Sequence, residues 1–322
     1  MGKVLFASEN GLERAENLRA VFEAYGGEKD FERGWESYVD APRMGYTAAV
    51  VDTMPPFMRG KGDCKVVFIG HGITGGKLYG FDQPRGYVDE RVRGQIDYAV
   101  CASTRTVEIA ARQTGASIGH TVPLGMPRTD AIVGSSKGDG GTFLAGVERA
   151  YLYAPTFRDG YERAPMPEID WRLVDLHLRD WEVLAVKRHY YTAGRLTPRG
   201  LRRVVEIPND EPTTPYLIDC DVLLTDFSSI VLDAHVAGKP ALLGVDGAAG
   251  YLKERGTYFS FPRMYAARWL TLDRNEDHMI HELRRAQDDG GWESELFGSF
   301  YADMCDGRSA ERVAEFVAEI AG

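Results

Sequence analysis

Residues 224–240 read LTDFSSIVLDAHVAGKP, and this stretch decides the fold class. With Val222 and Leu223 before it, its start is a short apolar run of strand length that ends in Asp226. Ser228 and Ser229 then open a helix with Ala, Val and Leu on one side, and Gly238 stops it. A buried strand that feeds a helix is half of a crossover unit, and crossover units build parallel sheets. The same alternation continues outward, with Tyr151–Pro155, Val183–Lys187 and Arg203–Ile207 as strands upstream and Ala241–Val245 downstream. Nearer the start, Val4–Ala7, Thr47–Val51, Lys65–Ile69 and Tyr98–Cys101 read as strands, with helices over Gly11–Tyr25 and Thr104–Gln113. The turn-rich run Gly134–Gly141 (GSSKGDGG) separates the two sets and reads as a linker. Ser309–Ala321 is an amphipathic helix with Ala310, Val313, Phe316, Val317 and Ile320 on one stripe.

The expectation is therefore an α/β protein with two parallel-sheet domains, residues 1–140 and 141–305, and a terminal helix over 306–322. A ligand would lie in the interdomain cleft, facing the carboxyl ends of the strands.

Composition narrows the function classes. The chain has 322 residues, 44% hydrophobic and 27% charged, which excludes disorder, a fibrous repeat and a small disulfide scaffold. A net charge of −10 disfavours nonspecific nucleic-acid binding, which needs clustered positive charge. Residues 271–322 hold 13 Asp+Glu against 5 Lys+Arg, so the acidity belongs mostly to the tail. Lys187–Arg203 carries six Lys/Arg and no acidic residue, and reads equally as a solvated loop or as an anion-focusing surface. No apolar run at the start fits a signal peptide, and none anywhere is long enough to cross a bilayer. The four cysteines are scattered, without C-x-x-C pairs. A cytoplasmic protein is expected, with room for peripheral contact at the inner face of the membrane.

Two motifs invite misreading. Gly70-His-Gly72-Ile-Thr-Gly75 fits the dinucleotide fingerprint, but the sequel through Gly76, Gly80, Pro84 and Gly86 is too rich in Gly and Pro to open a helix. What stays of interest is His71, on a loop at a strand's carboxyl end. Asp219-Cys-Asp221 has the form of a metal site, yet it precedes its strand and so lies at the wrong end of a parallel sheet. Neither a metal nor a cofactor is assigned.

Three strand ends carry the chemistry. Ser228 and Ser229 begin a helix and could hold an anion, and Asp233 one turn on points from the same face. Arg158 leaves Tyr151–Pro155 in a Pro-Thr-x-Arg loop and could clamp a phosphate bidentately. Lys187 and His189 end a third strand. Together they point to a diphosphate site.

These segments resemble the CDP-glycerol glycerophosphotransferase family of teichoic-acid primases and polymerases. The matching features run in order from His71-Gly72, Lys77 and Gly80-Phe-Asp82 through Gly125-Met-Pro-Arg128-Thr-Asp130 and Tyr153-Ala-Pro-Thr-Phe-Arg158. They end with Lys187-x-His189 and Asp226-Phe-Ser-Ser-Ile with Asp233 and Gly238-Lys-Pro240, covering about residues 65–260. The last segment is also similar to the nucleotide-binding helix of UDP-N-acetylglucosamine 2-epimerases. The resemblance implies a GT-B fold of two Rossmann-like domains, with the donor on the C-terminal one and the last helix crossing back. It implies transfer of glycerol phosphate from CDP-glycerol to an acceptor hydroxyl of a glycan or lipid-linked precursor, with CMP released. His71 would be the general base. His189, Arg158, Ser228 and Ser229 would hold the diphosphate, Asp233 the ribose, and Arg128 and Lys77 would assist. Gly70 and the absence of prolines around His189 depart from the family pattern, which leaves ribitol or another polyol open. A GT-B glycosyltransferase or epimerase using a UDP-sugar, or a non-catalytic nucleotide-binding module, remain the alternatives.

Overall fold

The interior strands are apolar on both faces because helices cover both sides of each sheet. The computed structural model describes residues 2–72, 77–83, 88–158, 166–192, 194–258, 268–289 and 300–322. Its α-helices among these are α1 (Glu16–Ala24), α2 (Glu36–Val39), α3 (Val107–Thr114), α4 (Trp171–His177), α5 (Thr214–Asp219), α6 (Ile230–Val236), α7 (Ala248–Arg255), α8 (Glu276–Asp289) and α9 (Ser309–Ile320). None is long and apolar enough to cross a membrane.

The chain forms two compact units, residues 1–133 with 298–322, and residues 134–297. In the first, β1 (Lys3–Ser8), β2 (Lys29–Arg33), β3 (Tyr46–Val51), β4 (Lys65–Phe68), β5 (Tyr98–Cys101) and β6 (Thr121–Pro123) make a parallel sheet in the order β2-β1-β3-β4-β5-β6. Val313, Ala314 and Val317 of α9 join Leu18 and Val21 of α1 in the core on one face of this sheet. Asp130 receives the N–H groups of Ser309 and Ala310, at 2.9 and 2.7 Å, and so caps α9. Gly125 has φ +94°, and a Cβ there would lie 2.2 Å from Ser309 Oγ, so only glycine allows this approach.

In the second unit, β7 (Arg149–Tyr153), β8 (Glu182–Val186), β9 (Val204–Glu206), β10 (Val222–Thr225), β11 (Ala241–Gly244) and β12 (Arg268–Leu270) are parallel, in the order β12-β11-β10-β7-β8-β9. This is the doubly wound order, which reverses between β7 and β10, and ligands bind outside the carboxyl ends at that point.

The units divide at 133/134 and 297/298, where the sequence suggested 140 and 305. For the first division the reason is Asp219, fully buried, which ties the glycine-rich run to the second unit. Its carboxylate receives the N–H groups of Gly138, Gly140 and Thr142 at 2.8, 3.0 and 2.8 Å and the Thr142 hydroxyl at 2.7 Å. Asp221 receives Lys137 Nζ and the Ala150 N–H, both at 2.7 Å. The Asp219-Cys-Asp221 pair is thus committed to holding backbone. Burial alone would raise the Asp219 pKa, but the donors from Thr142, Gly138 and Gly140 outweigh it and hold the carboxyl below its usual value. That contribution to stability is present above the unfolded pKa and is lost as pH falls through the folded one. Asp219→Ala should cost about 3–5 kcal/mol in urea unfolding at pH 7, with the deficit shrinking at acid pH. A deficit unchanged between pH 7 and pH 3 would contradict this account.

Candidate functional site

At the β7/β10 reversal the two strand ends are joined by a buried ion pair. Arg158 is 7% exposed and Asp226 2% exposed. Arg158 Nη2 and Nε reach one Asp226 oxygen at 2.8 and 3.3 Å, while Nη1 donates to the Asp246 carbonyl, just past β11, at 3.0 Å. The other Asp226 oxygen receives the Thr156 N–H at 2.8 Å. The guanidinium lies 4.7 Å from the Phe227 ring centre, and that ring stacks on Tyr251 of α7 at 4.4 Å. One side chain therefore locks the loops after β7, β10 and β11 together. The sequence cast Arg158 as a phosphate clamp, but much of its donor capacity is spent on Asp226 and Asp246.

The Asp226–Phe227 turn then presents Ser228 and Ser229, both half-buried, ahead of α6. The Ser229 side chain makes no capping hydrogen bond, and Ser228 Oγ accepts from the Ile230 N–H at 3.4 Å. Asp233, four residues past Ser229 and 2% exposed, lies in the first turn of α6.

His189 follows β8 within a cluster of rings. Tyr190 stacks on it at 4.4 Å, Phe157 lies at 4.7 Å and Tyr191 at 5.5 Å. The Tyr191 N–H donates to His189 Nδ1 at 3.3 Å. An accepting Nδ1 puts the proton of the neutral ring on Nε2, which makes His189 a donor through that atom. Lys187, 6% exposed, is turned to the Pro208 carbonyl at 2.7 Å. Two cations of the basic stretch, Arg188 and Arg195, converge on Glu206 at 3.4 Å each. That pairing offsets one of the two charges and leaves the stretch net positive.

His71 belongs to the first unit. Gly70, at φ +68°, turns the chain off the end of β4, and His71 is exposed beyond it. Its Nδ1 lies 3.3 Å from the carbonyl of Asp52, which follows β3. A carbonyl only accepts, so in the neutral ring Nδ1 carries the proton and Nε2 the lone pair: the tautomer opposite to that of neutral His189. The Tyr79 ring meets the imidazole edge-on at 5.2 Å. The Asp52 carboxyl is buried, and burial pushes its pKa up to about 6. Arg128 Nη1 donates to the His71 carbonyl at 2.8 Å, so Arg128 supports His71 within the first unit. Lys77, also in that unit, accepts through its carbonyl from Gln113 at 3.4 Å. Residues 73–76, including Gly75 of the glycine motif, lie outside the described residues.

The structure thus brings Arg158, His189, Ser228, Ser229 and Asp233 onto the second unit, and His71, Arg128 and Lys77 onto the first. Sequence reasoning missed Asn17. Its amide donates to the Gly70 carbonyl at 3.0 Å and the Met126 sulfur at 2.9 Å, and its oxygen receives the Arg128 N–H at 2.9 Å. The available signal was a polar residue beside Leu18 and Val21 in the apolar stripe of α1.

The family model for CDP-Glycerol:Poly(glycerophosphate) glycerophosphotransferase matches residues 32–319. Teichoic acid ribitol-phosphate primase of Bacillus spizizenii is 25% identical over 240 residues, covering 70% of this chain and 60% of the relative. Teichoic acid glycerol-phosphate primase of Bacillus subtilis is 21% identical over 230 residues, covering 71% and 59%. The chain therefore spans about 60% of the length of these relatives. Among solved structures, a variant of the wall teichoic acid polymerase TagF soaked with CDPG superposes with a TM-score of 0.79 at 17% identity, over 99% of this chain and 89% of that one. UDP-GlcNAc 2-epimerase from Methanocaldococcus jannaschii superposes with a TM-score of 0.56 at 11% identity, over 99% and 100%. These likenesses place the two sheets in a GT-B-like fold.

Proposed function

The chain belongs to the CDP-glycerol:poly(glycerophosphate) glycerophosphotransferase family, and from that premise we propose that it transfers a polyol phosphate from a CDP-activated donor to an acceptor hydroxyl, releasing CMP, in teichoic-acid or related surface-glycan synthesis. The observation that carries this reading is His71, an exposed imidazole just past the end of β4 whose Nδ1 lies 3.3 Å from a carbonyl, the arrangement that in the neutral ring puts the basic lone pair on Nε2. An epimerase sharing the Ser228–Asp233 segment has no need of it.

In the proposed reaction, Nε2 of His71 takes the acceptor's proton as its oxygen bonds to the phosphorus that carries the polyol. The bond from that phosphorus to the bridging oxygen breaks, and the electron pair leaves with CMP. His189, donating through Nε2–H, meets the charge growing on the leaving phosphate. The Ser228 and Ser229 hydroxyls hold the diphosphate, and Asp233 accepts from the ribose. Arg158 adds positive charge behind them while bracing the loops through Asp226. Arg128 and Lys77 act from the first unit, Arg128 by steadying the His71 backbone. The acceptor is a glycan or lipid-linked hydroxyl, and the reaction belongs in the cytoplasm, with peripheral membrane contact where the acceptor is lipid-bound.

Thermal-shift titration with CDP-glycerol, CDP-ribitol and UDP-sugars tests the reading. A CDP-polyol should raise Tm saturably, and the stronger of the two names the polyol. Stabilisation by UDP-sugars alone would overturn it in favour of the epimerase or glycosyltransferase alternative.

A further inference from the structure

Three of the chain's seven histidines, His177, His278 and His281, gather on one face of the second unit, where α4 packs on α8. The inward side of α8 is fixed by Met279, Ile280, Leu283 and Ala286, which share a core with Trp171, Val174 and Leu178. That leaves His278 and His281 exposed, and Glu282 half-buried beside them. The three stand at i, i+3 and i+4, so they share one face of a 14-residue helix. One ligand atom from each of the three lies within 4.8 Å of the others. A tetrahedral zinc ion with bonds near 2.0–2.1 Å brings its ligand atoms to about 3.3 Å apart. Binding would require the two exposed imidazoles to rotate and close that difference.

We propose that His278, His281 and Glu282 bind a divalent transition cation of the zinc class, with water completing the shell. The donor set is two imidazoles and a carboxylate, which suits zinc over magnesium or calcium. Glu282 also contacts His281 Nδ1 at 3.1 Å, Arg285 at 3.8 Å and Arg268 at 4.0 Å. The two arginine contacts are at the outer limit of an ion pair, and a metal would compete with both for the carboxylate. His177 pairs with Asp277 at 2.5 Å at the next position along α8, outside the ligand set. The ion would clasp successive turns of α8 and so stabilise the helix, apart from every residue assigned to donor or acceptor.

The test uses the full chain without a polyhistidine tag, since a tag would supply the same ligands. Dialysis against micromolar Zn2+ should leave one equivalent bound and raise Tm. Co2+ in its place should give the intense visible absorption of a four-coordinate site. The double variant His278→Ala/His281→Ala should lose both signals, Glu282→Gln should weaken binding about tenfold, and His177→Ala should leave binding unchanged. Absence of saturable one-to-one binding in the unmodified chain would overturn the proposal, as would full retention in the double variant.

Discussion

Replacing His71 with alanine should lower kcat by about 10³-fold, within the 10²–10⁴ range of a general base, while donor binding measured by calorimetry stays within about twofold. The split follows from placement. His71 lies in the first unit with Arg128 and Asn17, and the residues assigned to the diphosphate and ribose lie in the second. On the proposed assignment, removing the imidazole would leave the donor contacts in place and take away only the acceptor for the hydroxyl's proton. A retained kcat with lost donor affinity would reverse the role. Histidine 15N spectra supply a readout that general destabilisation would not mimic. In the unmodified protein His71 should carry its proton on Nδ1 and His189 on Nε2, because one Nδ1 faces a carbonyl and the other a backbone N–H. Identical tautomers would remove the physical basis for giving the two rings different tasks.

The difference between those two rings was not legible in the sequence, where both are histidines after a strand. What was legible follows from burial. Interior strands such as β3 and β10 must be apolar on both faces, so they stand out as continuous runs. The strands the reading passed over, β2, β6 and β12, are all sheet edges. β2 is Lys-Asp-Phe-Glu-Arg, whose single apolar residue gives no pattern, and the other two have three residues each. Edge strands need no second apolar face, and charge on them discourages pairing with other chains.

The site shows the same limit. The strand-end residues themselves could be named, because a carboxyl-end loop with Ser, Arg or His is visible locally. Their partners could not. Arg158 and Asp226 are 68 residues apart and meet because β7 lies beside β10, a consequence of strand order. Arg128 and His71 meet across 57 residues. The six cations of Lys187–Arg203 read equally as a solvated loop or an anion-focusing surface, and the contact of two of them with Glu206, brought alongside by β9, was not visible in the sequence.

The Arg158–Asp226 pair gives the second large expectation, and it separates bracing from phosphate binding. Arg158→Ala strands a buried carboxylate, which should cost about 3–5 kcal/mol of stability, and should also weaken donor binding at least tenfold. Asp226→Asn keeps an acceptor for the Thr156 N–H, yet leaves the guanidinium without its counter-charge. It too should lower stability by a few kcal/mol, roughly 2–4. Its effect on the donor should differ in sign. With Asp226 neutral, the positive charge of Arg158 is no longer shared, so affinity for an anionic diphosphate should hold or rise. If Arg158 only braces the loops, both variants loosen the same turn and both lose donor affinity in step with stability. Removing both charges with Arg158→Met/Asp226→Leu settles what remains, because neither buried charge is then stranded. Such a chain should regain much of the stability lost in Arg158→Ala. It should not regain donor binding if the guanidinium reaches the phosphates. Recovery of both together would make the ion pair a structural brace and leave the diphosphate to Ser228, Ser229 and His189.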